Sequence, residues 1–168
     1  MPATYEPINT QTLGTAVADV YFNSIPQTYT DLVLVITGTS AADADAGFRL
    51  NSDSASNYSW TELYGTGSSA VSARTTSNSF GRFDTYGGLS TTGRFVLIAN
   101  FMNYTNATTF KTVLSRSGNT ANTYPGTSAY ANLWRKTPEA ITSINVLTTN
   151  GVNFAVGSTF TLYGVKAA

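Results

Sequence analysis

Residues 32–36 read Leu-Val-Leu-Val-Ile, an unbroken aliphatic run held between Asp31 and Thr37-Gly38. The run is far too short to cross a bilayer, and its two Val and one Ile disfavour a helix. It therefore reads as a β-strand covered on both faces. A fully covered strand needs other strands beside it, and the remaining chain supplies shorter, half-exposed ones.

The periodicity elsewhere is that of sheets. Weak strand patterns occupy residues 8–13 and 18–25, and Pro26 opens a turn into the aliphatic run. Residues 40–46, small and acidic, suit a loop better than a helical turn. Residues 47–51 and 58–64 alternate large side chains, separated by the turn formers of 52–57. Residues 65–79 are mostly Gly, Ser, Thr and Ala, a long loop or a poorly specified strand. A short segment at 80–83 is broken by Gly87-Gly88. Residues 94–102 are the second long apolar run and form a hairpin with 109–115. Strand patterns follow at 128–135, 140–147 and 158–165, with Asn150-Gly151 as a tight turn. About eight to ten short strands and no amphipathic helix predict an all-β fold. The expected form is an antiparallel two-sheet sandwich, jelly-roll-like or a similar Greek key. Residues 12–168 read as one domain. Residues 1–11, poorly patterned, read as an N-terminal arm reaching a neighbour.

Composition removes several function classes. Lys+Arg and Asp+Glu are equal at nine each, so no basic excess is available to neutralise phosphates, and no nucleic-acid partner is expected. The chain has neither Cys nor His, which removes disulfides, the usual zinc ligands, the Ser-His and Cys-His pairs and the commonest general base. The N-terminus lacks the basic and apolar regions of a signal peptide, and no segment approaches a membrane span. Charged residues make up only 11% of the chain. A surface so poor in charge resists self-association weakly, which predicts that part of it is covered by a partner.

Three sets of residues are candidates for chemistry. The carboxylates Glu6, Asp19, Asp31, Asp43, Asp45, Asp53, Glu62, Asp84 and Glu139 include no recognisable acid/base motif, so no enzyme activity is expected. Asn51, Asp53 and Asn57 place side-chain oxygens at the short spacing that a hard cation accepts, or they close Asx-turns on their own backbone. Tyr58, Trp60, Tyr64, Tyr130 and Trp134 alternate with other residues in strands. They read as a sugar-stacking platform, as packing between sheets, or as a subunit interface; the low charge favours the interface. The Asn-X-Ser/Thr triplets at Asn57, Asn103 and Asn106 are chance products of a Ser/Thr-rich chain. No cofactor motif is present.

Several stretches recur together in one order. They are Ser24-Ile25-Pro26-Gln27 running into Asp31-Leu32-Val33-Leu34, then Phe48-Arg49-Leu50-Asn51, then Asn103-Tyr104-Thr105-Asn106 with Lys111-Thr112-Val113-Leu114. Leu133-Trp134-Arg135 and the ending Phe160-Thr161-Leu162-Tyr163-Gly164-Val165-Lys166 complete the set. In this the chain resembles a family of small structural proteins and terminal domains of tailed bacteriophages, notably from marine and freshwater. The resemblance implies a β-sandwich on the virion exterior, assembled in the host cytoplasm as a symmetric oligomer such as a homotrimer. It implies contact with other virion proteins such as the major capsid protein, and no catalytic residues. The module starts at Met1 without an upstream fibre shaft, which favours a capsid decoration (cement) protein. The alternative is a tail-fibre or spike-tip module gripping host glycan.

Overall fold

The computed structural model describes residues 4–84, 88–120 and 126–166. Within them the chain is an all-β, antiparallel, two-sheet sandwich with no helix. Twelve strands follow in chain order: β1 (Tyr5–Thr12), β2 (Asp19–Phe22), β3 (Asp31–Gly38), β4 (Ala46–Leu50), β5 (Tyr58–Gly65) and β6 (Ala70–Asn78); then β7 (Gly81–Arg82), β8 (Phe95–Phe101), β9 (Lys111–Asn119), β10 (Thr127–Trp134), β11 (Ile144–Thr148) and β12 (Thr159–Val165). The larger sheet has eight strands in the order β1-β12-β3-β8-β9-β10-β5-β6, and the smaller has four in the order β2-β11-β4-β7. The chain passes repeatedly from one sheet to the other, which gives the sandwich its jelly-roll character.

The core lies between the sheets. Leu32, Leu34 and Ile36 of β3 face it beside Phe95, Leu97, Ala99 and Phe101 of β8 and Phe160 and Leu162 of β12. From the smaller sheet come Val20 and Phe22, Phe48 and Leu50, and Ile144 and Val146. Phe48 anchors an aromatic group, stacked on Phe83 at 4.6 Å and edge-on to Tyr58 and Phe101 at 6.1 and 5.8 Å. Removing such side chains from water stabilises the fold by roughly 1.5–3 kcal/mol each.

The structure refines three expectations. The aliphatic run is sealed on its inner face only: its outer residue Val33 is shielded within the sheet by its register partners Asn100 and Tyr163, and Val35 is half-exposed. Of the two readings of segment 65–79, the poorly specified strand is the observed one: it contains the nine-residue strand β6, which pairs with β5 as an edge strand. Its side chains are mostly exposed, so burial imposes no hydrophobic alternation on it. The expected arm of residues 1–11 contains most of β1, which pairs with β12 from Tyr5 to Thr12, so the boundary after residue 11 falls inside a strand. A register shift between Pro7 and Asn9 turns Ile8 against the core, and this bulge hides the strand periodicity. Met1–Ala3 of that arm, and Gly87 of the expected breaker, lie outside the described residues.

Candidate functional site

A sheet buries one face and presents the other, and the outer face of the large sheet is apolar. Cross-strand register sets Leu63, Ala129, Arg116, Ile98, Val35 and Thr161 in one continuous row from β5 to β12. The next row carries Thr61, Ala131, Leu114, Asn100, Val33 and Tyr163. Leu63 is 57% exposed, and Val96 and Leu114 are each 45% exposed. Leu63 is separated from β9 by the small Ala129 and Ala131 of β10, so large aliphatic side chains stand open across a face of small residues, as on an interaction surface.

Arg116 stands in the middle of this face, exposed, and its side chain makes no hydrogen bond or ion pair to any described residue. It divides two open depressions that share it and Ile98. One, of about 620 Å³, is lined by Leu63, Tyr64, Val96, Ser117 and Ser128 among others. The other, of about 380 Å³, is lined by Tyr5, Val33, Val35, Asn100 and Tyr163. A guanidinium with five free donors, set among apolar walls, is suited to a carboxylate or other planar anion.

The aromatic set of the sequence is not where a sugar platform requires it. Tyr58, Trp60, Tyr130 and Trp134 are all buried, 0–6% exposed, on the inner face of the large sheet. Tyr58 stacks on Trp134 at 6.4 Å, and Trp60 stacks on Phe80 at 5.9 Å under the Arg82 guanidinium. The Tyr130 hydroxyl donates to Glu62, and burial followed by the Glu62 contact raises its pKa. These four are interlayer packing. Only Tyr64 reaches a depression. Alternation along a strand shows which residues share a face, not which face is inside, and here the larger side chains fill the core while Ala129 and Ala131 remain outside.

The Asn51, Asp53 and Asn57 group is likewise engaged. Asp53 Oδ1 accepts the Ala55 amide at 3.0 Å, and Oδ2 accepts Asn57 Nδ2 at 2.9 Å and the Trp134 indole N–H at 2.6 Å. Burial opposes ionisation of Asp53, but these hydrogen bonds together outweigh it and hold the carboxyl below its usual range. Asn51 Oδ1 accepts the amides of Thr142 and Ser143, and its Nδ2 donates to Glu139 and the Ala140 carbonyl. Of the three, only Asp53 closes an Asx-turn, to the Ala55 amide; the Asn51 oxygen instead caps amides of the distant 142–143 segment, and Asn57 donates its side-chain amide to Asp53. Among the described residues no three or more Asp, Glu, His or Cys side chains gather as a metal site. Sequence reasoning missed Arg116 and the outer face, although Val96, Ile98, Leu114 and Leu63 alternate in antiparallel strands on the side away from the aromatics.

No family model and no curated protein matches the chain. Among solved structures, a galectin from Caenorhabditis elegans (LEC-6) is similar at a TM-score of 0.37 and 8% identity, over 95% of this chain and 96% of that one. The Eiger TNF from S. frugiperda is similar at 0.27 and 11% identity, over 99% and 96%. Likenesses this distant carry nothing about activity.

Proposed function

We propose that the chain is a non-enzymatic structural protein of the exterior of a tailed-bacteriophage particle, a capsid decoration protein that works by contact as a cyclic oligomer, most simply a trimer. The observation that supports this is the outer face of the large sheet, where Leu63, Val96, Ile98 and Leu114 surround an unpaired Arg116. Covering those side chains with capsid or neighbouring protomers removes apolar surface from water and gives Arg116 a carboxylate partner. The test is cosedimentation of the purified chain with particles stripped of it. Wild type is expected to pellet with particles, and Leu114→Asp and Arg116→Ala to stay in the supernatant. Pelleting unchanged by both substitutions overturns the assignment of this face, and absence of pelleting by wild type overturns the particle role.

The two depressions beside Arg116 favour a second reading, recognition of an acidic host glycan by a fibre or spike tip. On a glycan array this reading requires saturable binding of uronic or sialic-type sugars that Arg116→Ala loses; no binding removes it.

A further inference from the structure

The segment leaving β7 holds a carboxylate with one oxygen that the packing does not use. Asp84 is wholly buried; its Oδ1 accepts the Ala46 amide at 2.5 Å, while its Oδ2 has no hydrogen-bond partner. A carboxylate oxygen taken out of water normally finds a donor or a cation. Beside it stands Asp45, whose Oδ2 pairs with the Arg82 guanidinium at 2.7 Å and whose Oδ1 makes no such bond. Gly88 shows how the oxygens are disposed. A Cβ added to Gly88 would lie 2.8 Å from Asp84 Oδ2 and 3.2 Å from Asp45 Oδ1, and in hard contact with the Ala44 carbonyl oxygen. Three oxygens from two chain segments are therefore gathered on one side of Gly88, facing the space beyond its Cα. Reciprocal backbone hydrogen bonds between Ala44 and Leu89, at 2.8 and 3.0 Å, hold those segments together.

We propose that this convergence is a calcium site, with Asp84 Oδ2, Asp45 Oδ1 and the Ala44 carbonyl oxygen as its protein ligands. The donors are all hard oxygens and their arrangement is irregular, which suits calcium better than the strict octahedron of magnesium. The chain contains no His or Cys to attract a softer metal. With both carboxylates ionised, the Arg82 guanidinium would balance only one of them, and a bound cation would offset the other. Arg82 occupies the far oxygen of Asp45 and so orients Oδ1 toward the site without blocking it. Bound calcium would tie the entry of β4 to the segment after β7, the same two segments that the Ala46–Asp84 hydrogen bond joins. The site is separate from the outer face and does not depend on any role assigned to it.

The experiment is calorimetric titration of calcium chloride into the EDTA-treated, dialysed full chain, paired with thermal unfolding. Wild type should bind one calcium, and its Tm should rise by about 5 °C at calcium well above Kd. Asp84→Asn should remain folded without calcium and show neither heat nor shift. If wild type takes up no calcium at about 10 mM, beyond the weakest extracellular sites, the proposal fails and Asp84 is buried as a neutral acid. Binding retained by Asp84→Asn also overturns it, by placing the ion elsewhere. Should Asp84→Asn not fold, Mn²⁺ added to wild type decides: the amide resonances of Ala46 and Leu89 should broaden first, and broadening elsewhere alone refutes the site.

Discussion

Asp53 shows how a single side chain organises its surroundings. Its two oxygens hold the 53–57 turn closed and receive the indole N–H of Trp134, 81 residues away in sequence. Asp53→Ala strands that buried N–H and frees the turn, and should cost about 3 kcal/mol in urea unfolding. The pH dependence follows from the depressed carboxyl pKa. A group whose folded pKa lies below its unfolded value of about 3.9 contributes stability that is complete above that value and lost as pH falls through the folded one. Asp53→Asn should therefore flatten the acid limb of a Tm-against-pH curve below about pH 4, leaving the curve above pH 5 parallel to wild type. Oxygens at short spacing were legible in the sequence, but the partner was not. A tryptophan reaching back to this loop depends on β10 lying beside β5, and no local pattern encodes that pairing.

At the level of strands, alternation was the readable signal, and it failed where burial does not enforce it. β10 and β12 alternate because each has one face in the core. β6, exposed at an edge, offers no such pattern, and β1 loses its pattern at the Ile8 bulge. Gly164 in β12 illustrates a requirement invisible in sequence. The Tyr29 ring lies directly on its backbone, where a Cβ would overlap ring carbons. Tyr29 in turn donates to Glu6 at 3.2 Å, and the Lys166 ammonium, paired with Glu6 at 2.8 Å, sits 5.6 Å from the ring. Gly164→Ala should displace Tyr29 and destabilise the fold by about 2 kcal/mol by overpacking, measured as a lower urea midpoint at unchanged m-value. Tyr29→Ala in the same background should recover part of that loss, since it removes the ring that the new methyl meets.

Across the whole molecule, the all-β sandwich was legible from turn spacing and the absence of helical periodicity, whereas the sidedness of the large sheet was not. Which face is covered depends on the second sheet, and its four strands come from widely separated parts of the chain. Consequences of the apolar outer face can be measured without a partner. Leu63→Ser with Leu114→Thr should weaken concentration-dependent self-association in sedimentation velocity while shifting stability by no more than about 0.5 kcal/mol per site, because about half of each side chain is already in water. A large drop in Tm instead would mean that these residues support the fold itself. The antiparallel pairing of β1 with β12 sets Thr4 beside Lys166, whose amide donates to the Thr4 carbonyl at 3.0 Å. A few Gly and Ser residues joining Thr4 to Lys166 would close the backbone between them into a ring that can be reopened at the exposed turn at residues 67–69. Cargo joined at Thr4 or Lys166 would leave from one edge of the large sheet, beside the depression that Tyr5 lines together with Arg116.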